Sequence, residues 1–95
     1  MKKIKIDNIE YELIENDRNC FNQEEFTNKC TDYFYPYDYI FGDYSYDGLR
    51  LKGFYESNNE LATKINDVKR LEEYKTNYCS FGAKTFLLKK ATKRL

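Results

Sequence analysis

Apolar and polar residues alternate along Ile4-Lys5-Ile6-Asp7-Asn8-Ile9-Glu10-Tyr11-Glu12-Leu13-Ile14. A period of two puts Ile4, Ile6, Ile9, Tyr11 and Leu13 on one face of a strand pair. Asp7 and Asn8 interrupt the alternation, and both tolerate left-handed backbone, so a tight hairpin turn is predicted between the strands. The period then becomes helical. Asn22 is a predicted N-cap with Glu25 three residues on, and Phe26, Cys30, Tyr33 and Phe34 follow at helical spacing up to the stop at Pro36.

Residues 37–55 return to a strand pattern, rich in aromatics and punctuated by Gly42, Asp43, Asp47, Gly48 and Gly53. Two strands are predicted, 37–43 and 49–55, and their short connection requires them to be antiparallel. With Asp43 opposite Leu49, Phe41 would face Leu51 and Tyr39 would face Gly53, leaving Asp38, Arg50 and Lys52 together on the side away from the leucines. A one-residue slip would exchange the two faces. A left-handed residue is expected at Gly42 or Gly48 to close the five-residue loop.

Residues 56–66 read as a polar surface loop. Asp67 is a predicted cap for a helix reaching Tyr78, with Val68, Leu71, Tyr74 and Tyr78 on one stripe, and Gly82 ends it. Thr85-Phe86-Leu87-Leu88 predicts the last strand. The element order ββαββαβ, without a linker or a repeat, predicts one α+β domain over residues 1–95 built on a mostly antiparallel sheet with two helices.

Composition narrows the chemistry. The chain has no histidine, so the usual general base and the commonest metal ligand are missing. Cys20, Cys30 and Cys79 are odd in number and widely spaced, which argues against a disulfide framework or a zinc site and for a reducing cytoplasm. The start of the chain has no apolar leader-like run, and no segment approaches a membrane span, so no membrane partner is expected. The formal charge is zero but divided: residues 1–47 hold five Lys/Arg against eleven Asp/Glu, and residues 48–95 hold eleven against five. Lys84, Lys89, Lys90, Lys93 and Arg94 close the chain without an acid among them.

Tyr37-Asp-Tyr-Ile-Phe-Gly-Asp, Leu49-Arg-Leu-Lys-Gly-Phe-Tyr and Tyr78-Cys-Ser-Phe-Gly with Phe86-Leu-Leu-Lys-Lys resemble the YutD-like family of small bacterial proteins. The opening hairpin and Asp17-Arg18-Asn19 with Phe21-Asn22 extend the resemblance over nearly the whole chain. Tyr44 stands where the family has Trp, and Ala83 where it has a second Cys. The resemblance implies a fold but no activity.

These residues favour a non-enzymatic cytoplasmic protein-interaction or regulatory module, because Tyr and Arg are the side chains that anchor interfaces. The alternative is an RNA- or ribosome-associated protein that uses the basic half, with lysines on phosphates and rings on bases. A second alternative is a small-ligand or metal-dependent enzyme centred on the 42–52 hairpin, where Asp43 and Asp47 flank a glycine-bounded loop. The candidate binding residues are Asp43, Tyr44, Tyr46, Arg50, Lys52, Lys84, Lys89 and Lys90. No catalytic residue, metal ligand or cofactor is expected, and Cys79, at a helix C-terminus, sits where the macrodipole disfavours a thiolate.

Overall fold

The alternation at the start of the chain builds a hairpin of β1 (Lys2–Ile6) and β2 (Ile9–Asn16), with Ile6 opposite Ile9. The computed structural model describes residues 2–6, 8–46 and 48–91. All five side chains assigned to the inner face are buried, and Tyr11 is wholly inaccessible. Strands β3 (Tyr39–Asp43), β4 (Arg50–Phe54) and β5 (Thr85–Lys90) complete an antiparallel sheet in the order β1-β2-β5-β3-β4. The last strand is therefore central, inserted between the two hairpins, and it carries Phe86, Leu87 and Leu88, each at most 4% exposed. A strand covered on both faces reads as a continuous apolar run, which is the pattern these residues show. The α+β class and the element order are as the sequence predicts.

Each face of the sheet has its own core. Phe26 and Cys30, from helix α1 (Gln23–Lys29) and its C-terminal cap, pack with Ile4, Tyr11, Ile40 and Leu88 on one face. Leu71, from helix α2 (Leu71–Tyr78), packs with Phe41, Phe54 and Leu87 on the other. Asn22 caps α1 as predicted, its side chain accepting from the Glu25 amide at 2.9 Å. The helix is shorter than its spacing predicts. It ends at Cys30, which turns extended, and Tyr33 and Phe34 fall in a separate 3₁₀ turn. Breaking there lets Phe34 and Tyr35 fold back against the first core, while Tyr33 stays exposed.

The β3–β4 register is the slipped one. Asp43 pairs with Arg50, Phe41 with Lys52 and Ile40 with Gly53. The cause is the second core: Phe41 is needed beneath α2, so the leucines take the α1 side and Arg50 and Lys52 share the α2 side with Phe41. Two glycines make room for rings that are not their partners across β3–β4. A methyl group on Gly42 would overlap the Phe86 ring, and one on Gly53 would overlap Tyr37. Gly42 is thus a packing glycine within a strand, and among the described residues of the loop it is Tyr46 that is left-handed, at φ 58°.

The entry to α2 is tied to the end of β4. Tyr55 N–H donates to Asn66 O at 2.7 Å, and Val68 N–H donates to Tyr55 O at 2.9 Å. Asp67 Oδ1 accepts from Ser57 Oγ–H at 2.6 Å and from the Lys69 amide at 3.0 Å, capping the 3₁₀ turn that leads into α2. These donors, the Ser57 hydroxyl first, hold the Asp67 carboxyl below its ordinary pKa against the opposing effect of burial.

Gly42→Ala is expected to cost about 1–3 kcal/mol in urea unfolding, the usual penalty of overpacking. Combining it with Phe86→Leu, which vacates the ring's volume, should cost less than the two single changes summed. For Asp67 the sign follows from a folded-state pKa below the unfolded one: its stabilisation is present above the unfolded value near 3.8 and is lost as pH falls through the folded value. Urea midpoints measured from about pH 5 to about pH 2 should fall with acidification, and Asp67→Ala should make that slope shallower.

Candidate functional site

The loop between β3 and β4 and the turn after α2 are held together by one buried carboxylate. Asp43 is 1% exposed, and its Oδ1 accepts from Arg50 Nε at 3.1 Å and from the Ser45 amide at 3.0 Å. The first bond joins cross-strand neighbours; the second is a local Asx-type turn that starts the loop. Arg50 then reaches across to the end of α2, where its Nη2 donates to the Tyr78 carbonyl at 2.6 Å and approaches Cys79 Sγ at 3.9 Å. Burial opposes the guanidinium charge, but the Asp43 carboxylate outweighs it and raises the Arg50 pKa. Buried Ser45 completes the set: its Oγ accepts from the Ser80 amide at 2.8 Å.

This framework presents aromatic side chains to solvent. Tyr46 is 70% exposed and lies under the Arg50 guanidinium, 5.0 Å from ring centroid to Cζ. Its left-handed backbone is a strained conformation for a tyrosine, and the cation–π contact offsets part of that cost. Tyr78 is 60% exposed and stacks on Tyr74 at 5.1 Å. Phe81 is completely exposed. It sits in a tight turn closed by Ala83 N–H to Ser80 O at 3.1 Å, with Gly82 at φ 76° in the position where a type II turn requires a left-handed residue. Arg18, itself left-handed at φ 50°, fixes this turn from the other side by donating to Gly82 O at 2.8 Å.

The eight residues singled out from the sequence fall in three places. Asp43, Tyr46, Arg50 and Lys52 share the α2 side, with Asp43 as the buried organiser and Tyr46 as the exposed ring. Tyr44 faces the α1 core. Its hydroxyl donates to Glu25 Oε1 at 2.8 Å, and burial and then that carboxylate raise its pKa. With Lys84, Arg18 and Cys20 it lines an open cavity of about 540 Å³. Lys89 and Lys90 lie at the other end of β5. Thr85 is opposite Asp43 and Lys89 opposite Tyr39, a separation of about 13 Å along the strand. Lys89 pairs with Glu56 at 3.7 Å, and Lys90 Nζ donates to Tyr35 O at 2.7 Å. Among the described residues these cations therefore form no single track. Lys93, Arg94 and Asp47 lie outside the described residues, so the Asp43–Asp47 pair is not placed.

Sequence reasoning missed Tyr78 and Phe81. Tyr78 had the helical spacing of a core residue, but as the last residue of α2 it stacks on Tyr74 and stays exposed. Phe81 carried a legible signal: a lone aromatic immediately before the turn glycine Gly82. The Cys79 thiol pKa is raised, chiefly by burial and next by the Asp43 carboxylate, with Arg50 and Ser45 opposing. A thiolate is disfavoured there as expected, though the dominant cause is burial.

Arg50→Ala removes the partner of a buried carboxylate and should cost about 3 kcal/mol in urea unfolding, the low end for a half-broken buried pair because Arg50 is open to solvent on one side. Asp43→Ala should be at least as damaging, since it frees Ser45 and Arg50 together.

A family model described as "Putative antitoxin YutD-like" matches residues 5–89. A Bacillus subtilis (strain 168) protein named "Putative antitoxin YutD" is 43% identical over 90 residues, covering 95% of this chain and 99% of that one. The solution NMR structure of protein yutD from B. subtilis matches with a TM-score of 0.81 at 41% identity, covering 100% of this chain and 86% of that chain. Sequence and fold agree over almost the full length: the chain belongs to the YutD-like family.

Proposed function

We propose that this chain is a non-enzymatic protein-interaction module of the bacterial cytoplasm, and that it holds its partner with the surface formed by Tyr46, Tyr78 and Phe81. The observation that carries this reading is three exposed aromatic side chains presented by backbone that Asp43, Arg50, Ser45 and Arg18 fix in place. An exposed ring on ordered backbone gives up little conformational entropy on binding, which is what makes a side chain an effective anchor. The three free thiols suit a reducing compartment. The B. subtilis relative's name is consistent with this role, since an antitoxin that acts by occupying another protein needs such a surface.

Among the described residues the candidate cations Arg50, Lys52, Lys84, Lys89 and Lys90 are dispersed over three places, and Arg50 and Lys89 are paired with acids. That distribution supports a protein partner over a nucleic-acid backbone, which calls for a continuous cationic track. The test uses the tagged protein and its Tyr46→Ala/Phe81→Ala variant as baits in lysate of the source bacterium, with and without nuclease. A discrete protein retained by the wild type, resistant to nuclease and lost with the variant, is the expected result, with both baits melting within about 2 °C of each other. Loss of the captured protein on nuclease treatment, or undiminished capture by the variant, overturns the reading.

A further inference from the structure

The tie between Tyr55 and the 66–68 segment leaves a cleft between β4 and α2, with a volume of about 460 Å³. Phe54 and Tyr74 form its apolar floor, their rings edge to face at 5.7 Å. Tyr78 and Ile65, the latter 77% exposed, flank it. An aliphatic side chain that open, beside the exposed Tyr78 ring and the half-buried Tyr74 ring, is a contact surface without an occupant among the described residues.

Cations surround this apolar cleft unevenly. Arg70 is neutralised by Glu73 at 2.9 Å. Lys64 forms no ion pair among the described residues. Lys52 is half-buried, with its Nζ 4.9 Å from the Phe54 ring and 3.4 Å from the Gly53 carbonyl, and no carboxylate pairs with it among the described residues. Burial lowers its pKa. A partly desolvated ammonium beside an apolar cleft is unfavourable alone and is stabilised by an incoming anion, so the site favours an apolar group and a negative charge arriving together.

We propose that this cleft receives an acidic segment of the partner protein, with an aromatic or branched apolar side chain against Ile65 and Tyr78 and a neighbouring carboxylate on Lys52. The proposal rests on the protein-partner reading and adds the chemistry of what is bound. The cleft's volume is within the range that encloses a compact apolar group, about 300–1,000 Å³. Arg70 and Glu73 pair with each other at the cleft's edge, which among the described residues leaves Lys52 and Lys64 as the charges an incoming carboxylate can meet.

The test is a titration of the isotope-labelled protein, followed by amide NMR shifts, with three probes: a blocked Asp-Phe-Asp-containing hexapeptide, its Lys-Phe-Lys counterpart, and oligo(U) RNA. The acidic peptide should give saturable shifts at residues 52, 54, 65, 74 and 78, and the other two should not. Lys52→Gln should weaken acidic-peptide binding about tenfold, equivalent to about 1.4 kcal/mol. Ile65→Ser, at a side chain too exposed to matter to folding, should weaken it as well. No shifts with the acidic peptide, equal binding by both variants, or preferential binding of oligo(U) overturns the proposal. Should the cleft fail while nuclease-resistant capture still depends on Tyr46 and Phe81, only the assignment of an acidic segment falls. Loss of that capture dependence would instead remove the protein-partner reading beneath it.

Discussion

A carboxylate that is 1% exposed must find its partners within the fold, and Asp43 shapes its surroundings accordingly. Its charge fixes Arg50 on the neighbouring strand, and its second bond folds the chain back at Ser45. Arg50 and Ser45 then each take hold of the segment after α2, at Tyr78 O and at the Ser80 amide. Two stretches joined by bonds that span 28 and 35 residues of chain are thereby fastened at one point, and the aromatic side chains beside it inherit fixed positions. A hydrophobic contact at the same place would bury comparable area but would not specify direction, whereas these bonds fix where the loop and the turn point.

The sheet order explains why this fastening is needed. β5 lies at the centre, between β2 and β3, so the chain must leave β4 at one edge, cross the sheet face as α2 and re-enter the middle. The 79–84 connection makes that re-entry. It is bound by Arg18 from one side of the molecule and by Arg50 and Ser45 from the other. Left-handed backbone at Arg18, Asn19, Tyr46 and Gly82 collects around this junction. Three of the four are not glycine, and strain of that kind persists only where surrounding contacts over-determine it.

Much of the fold was legible in the sequence. The first hairpin, the Asn22 and Asp67 caps, the polar 56–66 loop and the final strand each carry a local signal strong enough to place them. The β3–β4 register was not legible, because residues 39–54 have apolar groups on both faces and only the packing of α2 decides which face Phe41 takes. The two ring-over-glycine contacts were foreseeable in kind but not in partner, since Phe86 and Tyr37 reach Gly42 and Gly53 from outside the β3–β4 pair. At the candidate site the sequence pointed to Asp43, Tyr46 and Arg50, but its register set Asp43 opposite Leu49 and on the other side of the sheet from Arg50, its actual partner. Burial of Asp43 and exposure of Tyr78 are tertiary facts, set by how α2 and the loops pack on the sheet.

The most direct measurement of the organising role of Arg50 is backbone relaxation by NMR on the wild type and on Arg50→Lys, which keeps a charge near Asp43 but lacks the fork that also reaches Tyr78 O. In the wild type, residues 44–46 and 78–82 should have order parameters near the rigid-backbone value of about 0.85. In the variant both segments should loosen together toward about 0.6, while β2 and β5 stay rigid. Order parameters unchanged by the substitution, or both segments already loose in the wild type, would contradict the claim that the Asp43–Arg50 pair fixes this surface.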